Sequence, residues 1–277
     1  MKYLNNYKIY ETLNRRGSKS LSEDDFNSIL TKNCKIWIDT IKRHTGADTR
    51  IFRSQRDMGP YVYTDARGTV RSSIEDINLH IDLMDNLDCW KEYPKYSEAI
   101  IGITDDITVR YGTGESVLYE MIPFDNIKIG VCPESTIWSS FSEDGNFGDF
   151  IYSVNGFLNS LGTEITYYKS IEGLKKIFLS IENFSKYCIE NNYTMHYTIM
   201  DFLERVSDIL DEKPINDLTG ADIFSVIEDY MFNPDARGFE LLNYDTDFKV
   251  EEEKQVWCNG PVLLIDRNLV NKLRENL

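Results

Sequence analysis

The chain has 277 residues, with 46 Asp and Glu against 30 Lys and Arg. Its net charge of −16 excludes a protein that holds nucleic acid through a broad basic surface, while leaving room for a local basic cluster or a basic partner. A hydrophobic share of 42% with 13% aromatics excludes a disordered chain and supplies a sizeable core. Five scattered cysteines without a C-x-x-C pair, three histidines, a polar N-terminus and no long apolar run predict a soluble cytoplasmic protein with buried thiols, no metal and no membrane contact.

In chain order, residues 1–20 read as a polar, mobile segment ahead of the first firm element. Ser22 to His44 predicts one helix: Ser22 and Asp25 give a cap, and Phe26, Ile29, Leu30, Trp37 and Ile41 recur on one face. Thr49 to Ser54 predicts a short strand carrying Arg53. Residues 57–95 mix Gly, Pro and charge and predict irregular structure, with a helix or two turns over Ile77 to Leu87. Strands are predicted at Ser97 to Asp106, Ser116 to Phe124 and Lys128 to Val131, followed by a turn-rich stretch from Pro133 to Phe150.

From Ser170 three helical patterns follow: Ile171 to Cys188, Met195 to Ile209, and one capped by Thr219 and Asp222 that ends before Asn233-Pro234. Arg237 to Tyr244 returns to strand-like sequence. Three helices between strand-rich flanks predict an α+β protein, with residues 1–165 and 236–277 as the core and 166–235 as a helical insertion.

The stretch from Val250 to Ile265 sets acidic residues against two apolar segments, Val256-Trp257-Cys258 and Val262 to Ile265, joined by Asn259-Gly260-Pro261 as a hairpin. If the strand already runs at Glu251, then Glu251, Glu253 and Gln255 share one face. Such a strand is either a charged edge that resists aggregation or the rim of a catalytic cleft.

Arg53 at a strand start, Ile103-Thr104-Asp105 at a strand end and Glu251 to Gln255 resemble, in that order, the R…S-T-S…E-x-E pattern of mono-ADP-ribosyltransferases. Y-P-K-Y-S-E-A-I-I-G, Y-E-M-I-P-F-D-N-I-K-I-G-V-C-P and Q-V-W-C-N-G-P-V-L-L-I are similar to a branch among phage-encoded proteins. The resemblance implies a split two-sheet core and NAD as substrate. It also implies a toxin or phage-related effector acting on a protein or nucleic-acid acceptor and restrained by an antitoxin or other inhibitory partner. Arg53 would grip NAD, Thr104 and Asp105 would brace its site, and Glu253 with Gln255 would be the catalytic pair. A frame shifted by two makes the pair Glu251 and Glu253.

Cleavage of the nicotinamide bond passes through an oxocarbenium-like cation that a carboxylate stabilises. An amide in its place, about 4 Å away, forfeits roughly 4 kcal/mol at an effective dielectric near 20, or about three orders of magnitude in rate. Gln255 therefore marks either a naturally slow relative or a deliberate Glu-to-Gln change, and a catalytically inactive binding or inhibitor module with an acidic partner-binding surface is the alternative. For stacking on the ligand the sequence offers Tyr61, Tyr63, Trp90, Tyr93 and Tyr111. For guiding a single strand it offers Arg67, Arg71 and Lys91.

Overall fold

A computed structural model describes residues 17–42, 50–67, 79–104, 116–141, 197–250 and 253–276, with single positions between 175 and 190. In chain order the elements are β1 (Ser18–Ser20), α1 (Glu23–Asn33), α2 (Lys35–Lys42), β2 (Ile51–Arg56), β3 (Tyr61–Asp65), α3 (Leu79–Asn86), β4 (Ile100–Ile103), β5 (Ser116–Pro123) and β6 (Lys128–Val131). Then come α4 (Ile137–Ser140), α5 (Tyr197–Ile209), α6 (Gly220–Val226), β7 (Glu240–Asn243), β8 (Gln255–Cys258), β9 (Pro261–Asp266) and α7 (Arg267–Asn276). Met1–Ile74, Tyr93–Thr136 and Glu240–Leu277 make one compact unit, and Glu75–Glu92 with Ile137–Phe239 make a second.

Among the described residues all the strands belong to the first unit, as one antiparallel sheet in the order β1-β3-β9-β5-β2-β4-β8-β6-β7. Val262 to Ile265 of β9 are fully buried between β3 and β5. The α+β class follows the sequence. β8 and β9, expected as a hairpin, do not pair: β8 lies between β4 and β6, and β9 lies on the far side of β5 and β2. Gly260 serves a close approach rather than a hairpin turn, because a Cβ there would stand 2.6 Å from Ile127 Cδ1. β8 is also not an edge strand, which removes the aggregation-resisting role from its acidic approach.

Four local expectations also change. The helix from Ser22 is two helices broken at Cys34 (φ −130°, ψ 44°). Asp125 makes the break stable: its carboxylate accepts Lys35 N–H and Ile36 N–H at 3.0 Å each, capping α2 from another part of the chain. Residues 57–95 hold β3, whose alternation of buried Tyr61, Val62 and Thr64 with half-exposed Tyr63 and Asp65 is masked in sequence by Gly59-Pro60 and a polar tail. Ser18–Ser20, expected to be mobile, pairs with β3. The strand expected from Ser97 starts at Ile100, after a 3₁₀ turn at Tyr96–Glu98.

Packing of the sheet unit centres on Phe26, Leu30 and Trp37 of α1 and α2 with the apolar strand residues, Phe26 meeting Tyr61 at 4.8 Å between ring centroids. Trp37 Nε1 donates to the fully buried Glu120 at 2.8 Å, and Arg50 Nε donates to the same carboxylate at 3.0 Å. A buried carboxylate must be paired, and this one has a cation and an indole.

The second unit is helical in its described residues. Trp90, Phe141, Phe232 and Phe239 form an aromatic centre, with Phe141 stacked on Phe232 at 4.3 Å. α6 starts on a capping box of Thr219 and Asp222 and runs on into a π-helical turn, Ile227–Met231.

Across the middle of the sheet runs a transverse row of directly opposed residues: Tyr61, Ile265, Glu120, Phe52, Ile103 and Gln255. Its narrowest point is β2–β4. Phe52 opposite Ile103 is the one register pair there among the described residues, against six between β2 and β5. At this junction a Cβ on Gly102 would lie 2.4 Å from Ile51 Cγ2 and 3.1 Å from the Phe52 carbonyl oxygen. Gly102→Ala is therefore expected to destabilise the sheet unit by about 1–3 kcal/mol, read as a fall in the denaturant midpoint at unchanged slope.

Candidate active site

The residues singled out by the family resemblance sit on three strands that are far apart in sequence and consecutive in the sheet: β2 carries Arg53, β4 leads to Thr104, and β8 begins at Gln255. Thr104 grips the chain just before Gln255. Its N–H donates to the Lys254 carbonyl and its Oγ1 accepts Lys254 N–H, both at 3.0 Å. Thr104 is 2% exposed, so these bonds are made away from solvent.

Gln255 is 3% exposed and held on both sides. Its N–H donates to the Glu134 carbonyl at 3.3 Å and its own carbonyl accepts Cys132 N–H at 2.8 Å. Its side-chain Nε2 donates to the Tyr96 hydroxyl at 2.8 Å. Tyr96 and Tyr93 close over this part of β8 by packing on Trp257, edge-on at 5.7 Å and stacked at 6.1 Å, while Trp257 Nε1 donates to the Pro94 carbonyl.

Glu253 differs from its expected setting. The strand begins two residues later, and Glu253 sits exposed in a turn with φ 61°, so it does not share a strand face with Gln255. Lys254, between them, sends its ammonium to the Pro133 carbonyl. The left-handed turn lifts the Glu253 carboxylate out of the sheet while the next two residues enter it.

Arg53 is 5% exposed and lies on the opposite face from Gln255. The directly paired Phe52, Ile103 and Gln255 point one way, so their neighbour Arg53 points the other. Its Nη1 donates to the Ile101 carbonyl at 2.6 Å and its Nε to Gln55 Oε1 at 3.2 Å. The guanidinium thus bridges β2 and β4 just past their single register pair. Burial lowers its pKa to about 10, and the same buried surroundings push the Cys258 thiol up to about 12.

Two cations that the sequence did not single out do lie on the Gln255 face. Arg50 and Arg267 both stand over the Phe52 ring, at 4.9 Å and 5.4 Å from its centroid. Phe52 is two strands from Gln255 along the transverse row, about 10 Å. Neither arginine belongs to a motif: Arg50 precedes β2, and Arg267 opens α7 far along the chain. Tyr96 was equally invisible, although it lies inside one of the quoted segments.

Asp105, Glu251, Tyr111 and Arg71 lie outside the described residues. Tyr61 is a buried core residue packed on Phe26, and Trp90 is buried in the aromatic centre of the helical unit. Arg67 is tied to Asp65, with Nε at 2.9 Å from Oδ1, and Lys91 belongs to the helical unit. Among the described residues there is no cluster of His, Cys, Asp and Glu that could hold a metal ion and no helix long and apolar enough to cross a membrane.

Compared with family models, curated proteins and solved structures, the chain finds no match. The geometry itself gives a test of the Thr104 clamp. Thr104→Val leaves the half-buried Lys254 N–H without its acceptor and is expected to cost about 1–3 kcal/mol, whereas Thr104→Ser keeps the oxygen and most of the stability. Chemical denaturation of the two variants measures the difference.

Proposed function

We propose that the chain is an NAD-dependent mono-ADP-ribosyltransferase slowed by glutamine at position 255, with its NAD site on the sheet face that carries Phe52, Ile103 and Gln255. The observation that carries this is the convergence of β2, β4 and β8 at the centre of the sheet, with Thr104 hydrogen-bonded to the residue before Gln255. The resemblance implies a split two-sheet core, whereas the strands form one continuous sheet whose narrowest pairing is β2–β4.

In this scheme the ribose lies against Gln255, where charge develops as the nicotinamide bond breaks. The dinucleotide phosphates lie toward Arg267, whose guanidinium suits phosphate oxygens, while Arg50 stays on Glu120. Arg53, buried and on the other face, holds the junction at the angle that places these groups, instead of gripping NAD directly. Glu253, outside the strand, faces the acceptor, which is a protein guanidinium or a nucleic-acid base. Tyr93 and Tyr96 cover Gln255, so NAD enters by displacing this segment. A toxin or phage-effector role in the cytoplasm, with an inhibitory partner, goes with this activity.

The alternative is an inactive binding module that uses the acidic surface to capture a basic partner. It is favoured by one observation, the donation from Gln255 Nε2 to Tyr96, which makes the amide a packing group.

Gln255→Glu separates the two. A glutamate can accept from the Tyr96 hydroxyl, so the site accommodates it. The transferase scheme predicts a gain of about three orders of magnitude in NAD turnover, measured as nicotinamide release by protein whose circular dichroism is unchanged. No gain with the fold intact leaves the inactive module.

A further inference from the structure

The helical unit has a cavity of about 400 Å³ that the transferase scheme does not use. Arg205, Asp208 and Ile209 line it from one face of α5, at the i, i+3, i+4 spacing that brings side chains together. Tyr230 and Met231 line it from the π-helical turn that prolongs α6, and Arg237 lines it from the connection that follows. π turns occur frequently at functional sites because the widened turn presents side chains that a regular helix would not.

Its lining departs from what a structural crevice requires. Among the described residues three large hydrophobic side chains are exposed, and two of them, Tyr230 at 55% and Ile209 at 38%, meet in this one cavity. Two arginines against one aspartate give it a positive balance within a chain of net charge −16. The wall is built: Arg237 Nε donates to the Met231 carbonyl at 2.9 Å, and the connection before it is closed by Asn233 Oδ1, which accepts the N–H groups of Asp235 and Ala236.

We infer that this cavity binds a nucleoside phosphate, with the base lying on Tyr230 against Ile209 and the phosphate directed to Arg205 and Arg237. Asp208 is placed to accept from a ribose hydroxyl or an exocyclic amine. An exposed ring beside a guanidinium is how proteins hold a base and its phosphate together without reading sequence. The volume falls in the range of sites for one small ligand, which favours a single nucleotide unit over an extended acidic peptide. The unit is either a free mononucleotide or one residue of a single strand. This site is independent of the NAD scheme, since every lining residue is in the helical unit.

Calorimetric titrations of the full chain with AMP, a short single-stranded oligonucleotide, inorganic phosphate and an acidic peptide test it. Tyr230→Ala and Arg205→Gln are the variants, both of exposed or half-exposed side chains that do not disturb the core. AMP binding should weaken about tenfold in Tyr230→Ala, and Arg205→Gln should weaken it and flatten its salt dependence. An oligonucleotide that binds more tightly than AMP and is lost in the same variants identifies a single strand as the ligand; AMP binding without that gain identifies the free nucleotide. The proposal is overturned if AMP and the oligonucleotide both fail to bind, if binding survives both substitutions, or if phosphate or the acidic peptide binds as well as AMP.

Discussion

The sheet unit depends on how β2 crosses β4. Phe52 opposite Ile103 is the pair that joins the β1-β3-β9-β5-β2 half to the β4-β8-β6-β7 half, and it forms because Gly102 leaves room for Ile51 and the Phe52 carbonyl. Beyond this pair the buried Arg53 guanidinium reaches the Ile101 carbonyl, so a side-chain donor continues across the junction. A cation 5% exposed is costly without partners, and its place here is understandable as a brace that two carbonyl-type oxygens satisfy.

That junction decides what the candidate site can contain. One transverse row carries Glu120, Phe52, Ile103 and Gln255 on a common face, with Phe52 about 10 Å from Gln255. Arg50 and Arg267 stand there. Arg50 is committed to Glu120 through its Nε and a terminal nitrogen, and Arg267, from the start of α7, stands over the same Phe52 ring. On the far side of the row, Tyr96 and Tyr93 shield Gln255 through their packing on Trp257. The candidate site therefore combines a cationic end, an amide centre and an aromatic cover.

Much of this was legible in local sequence, and the rest was not for identifiable reasons. Apolar runs such as Val262 to Ile265 announced buried strands, and Ser22 and Thr219 announced helix starts that the structure bears out. The break at Cys34 was hidden because its cap, Asp125, comes from the β5–β6 turn, and no local pattern reports a partner ninety positions away. Asn259-Gly260-Pro261 carried hairpin chemistry, yet β8 and β9 belong to different halves of the sheet; glycine was needed there for contact with Ile127. Extending β8 back to Glu251 failed at Glu253, whose left-handed φ no alternation rule anticipates. Motif positions located Thr104 and Gln255 on adjoining strands, but they could not show that Arg53 turns to the other face, since facing follows from register across β2–β4. Arg50, Arg267 and Tyr96 reach the site through packing alone and left no signal in spacing.

The central claim is that the face shared by Phe52, Ile103 and Gln255 receives NAD, with Arg267 at its phosphate end. Titrating NAD calorimetrically into the chain as it stands and into Arg267→Ala tests this without relying on turnover. Binding to the parent chain that weakens about tenfold or more in Arg267→Ala is the predicted result, as expected for loss of a charge-assisted contact to phosphate. Absence of NAD binding to the parent chain, or equal binding to both, would contradict it.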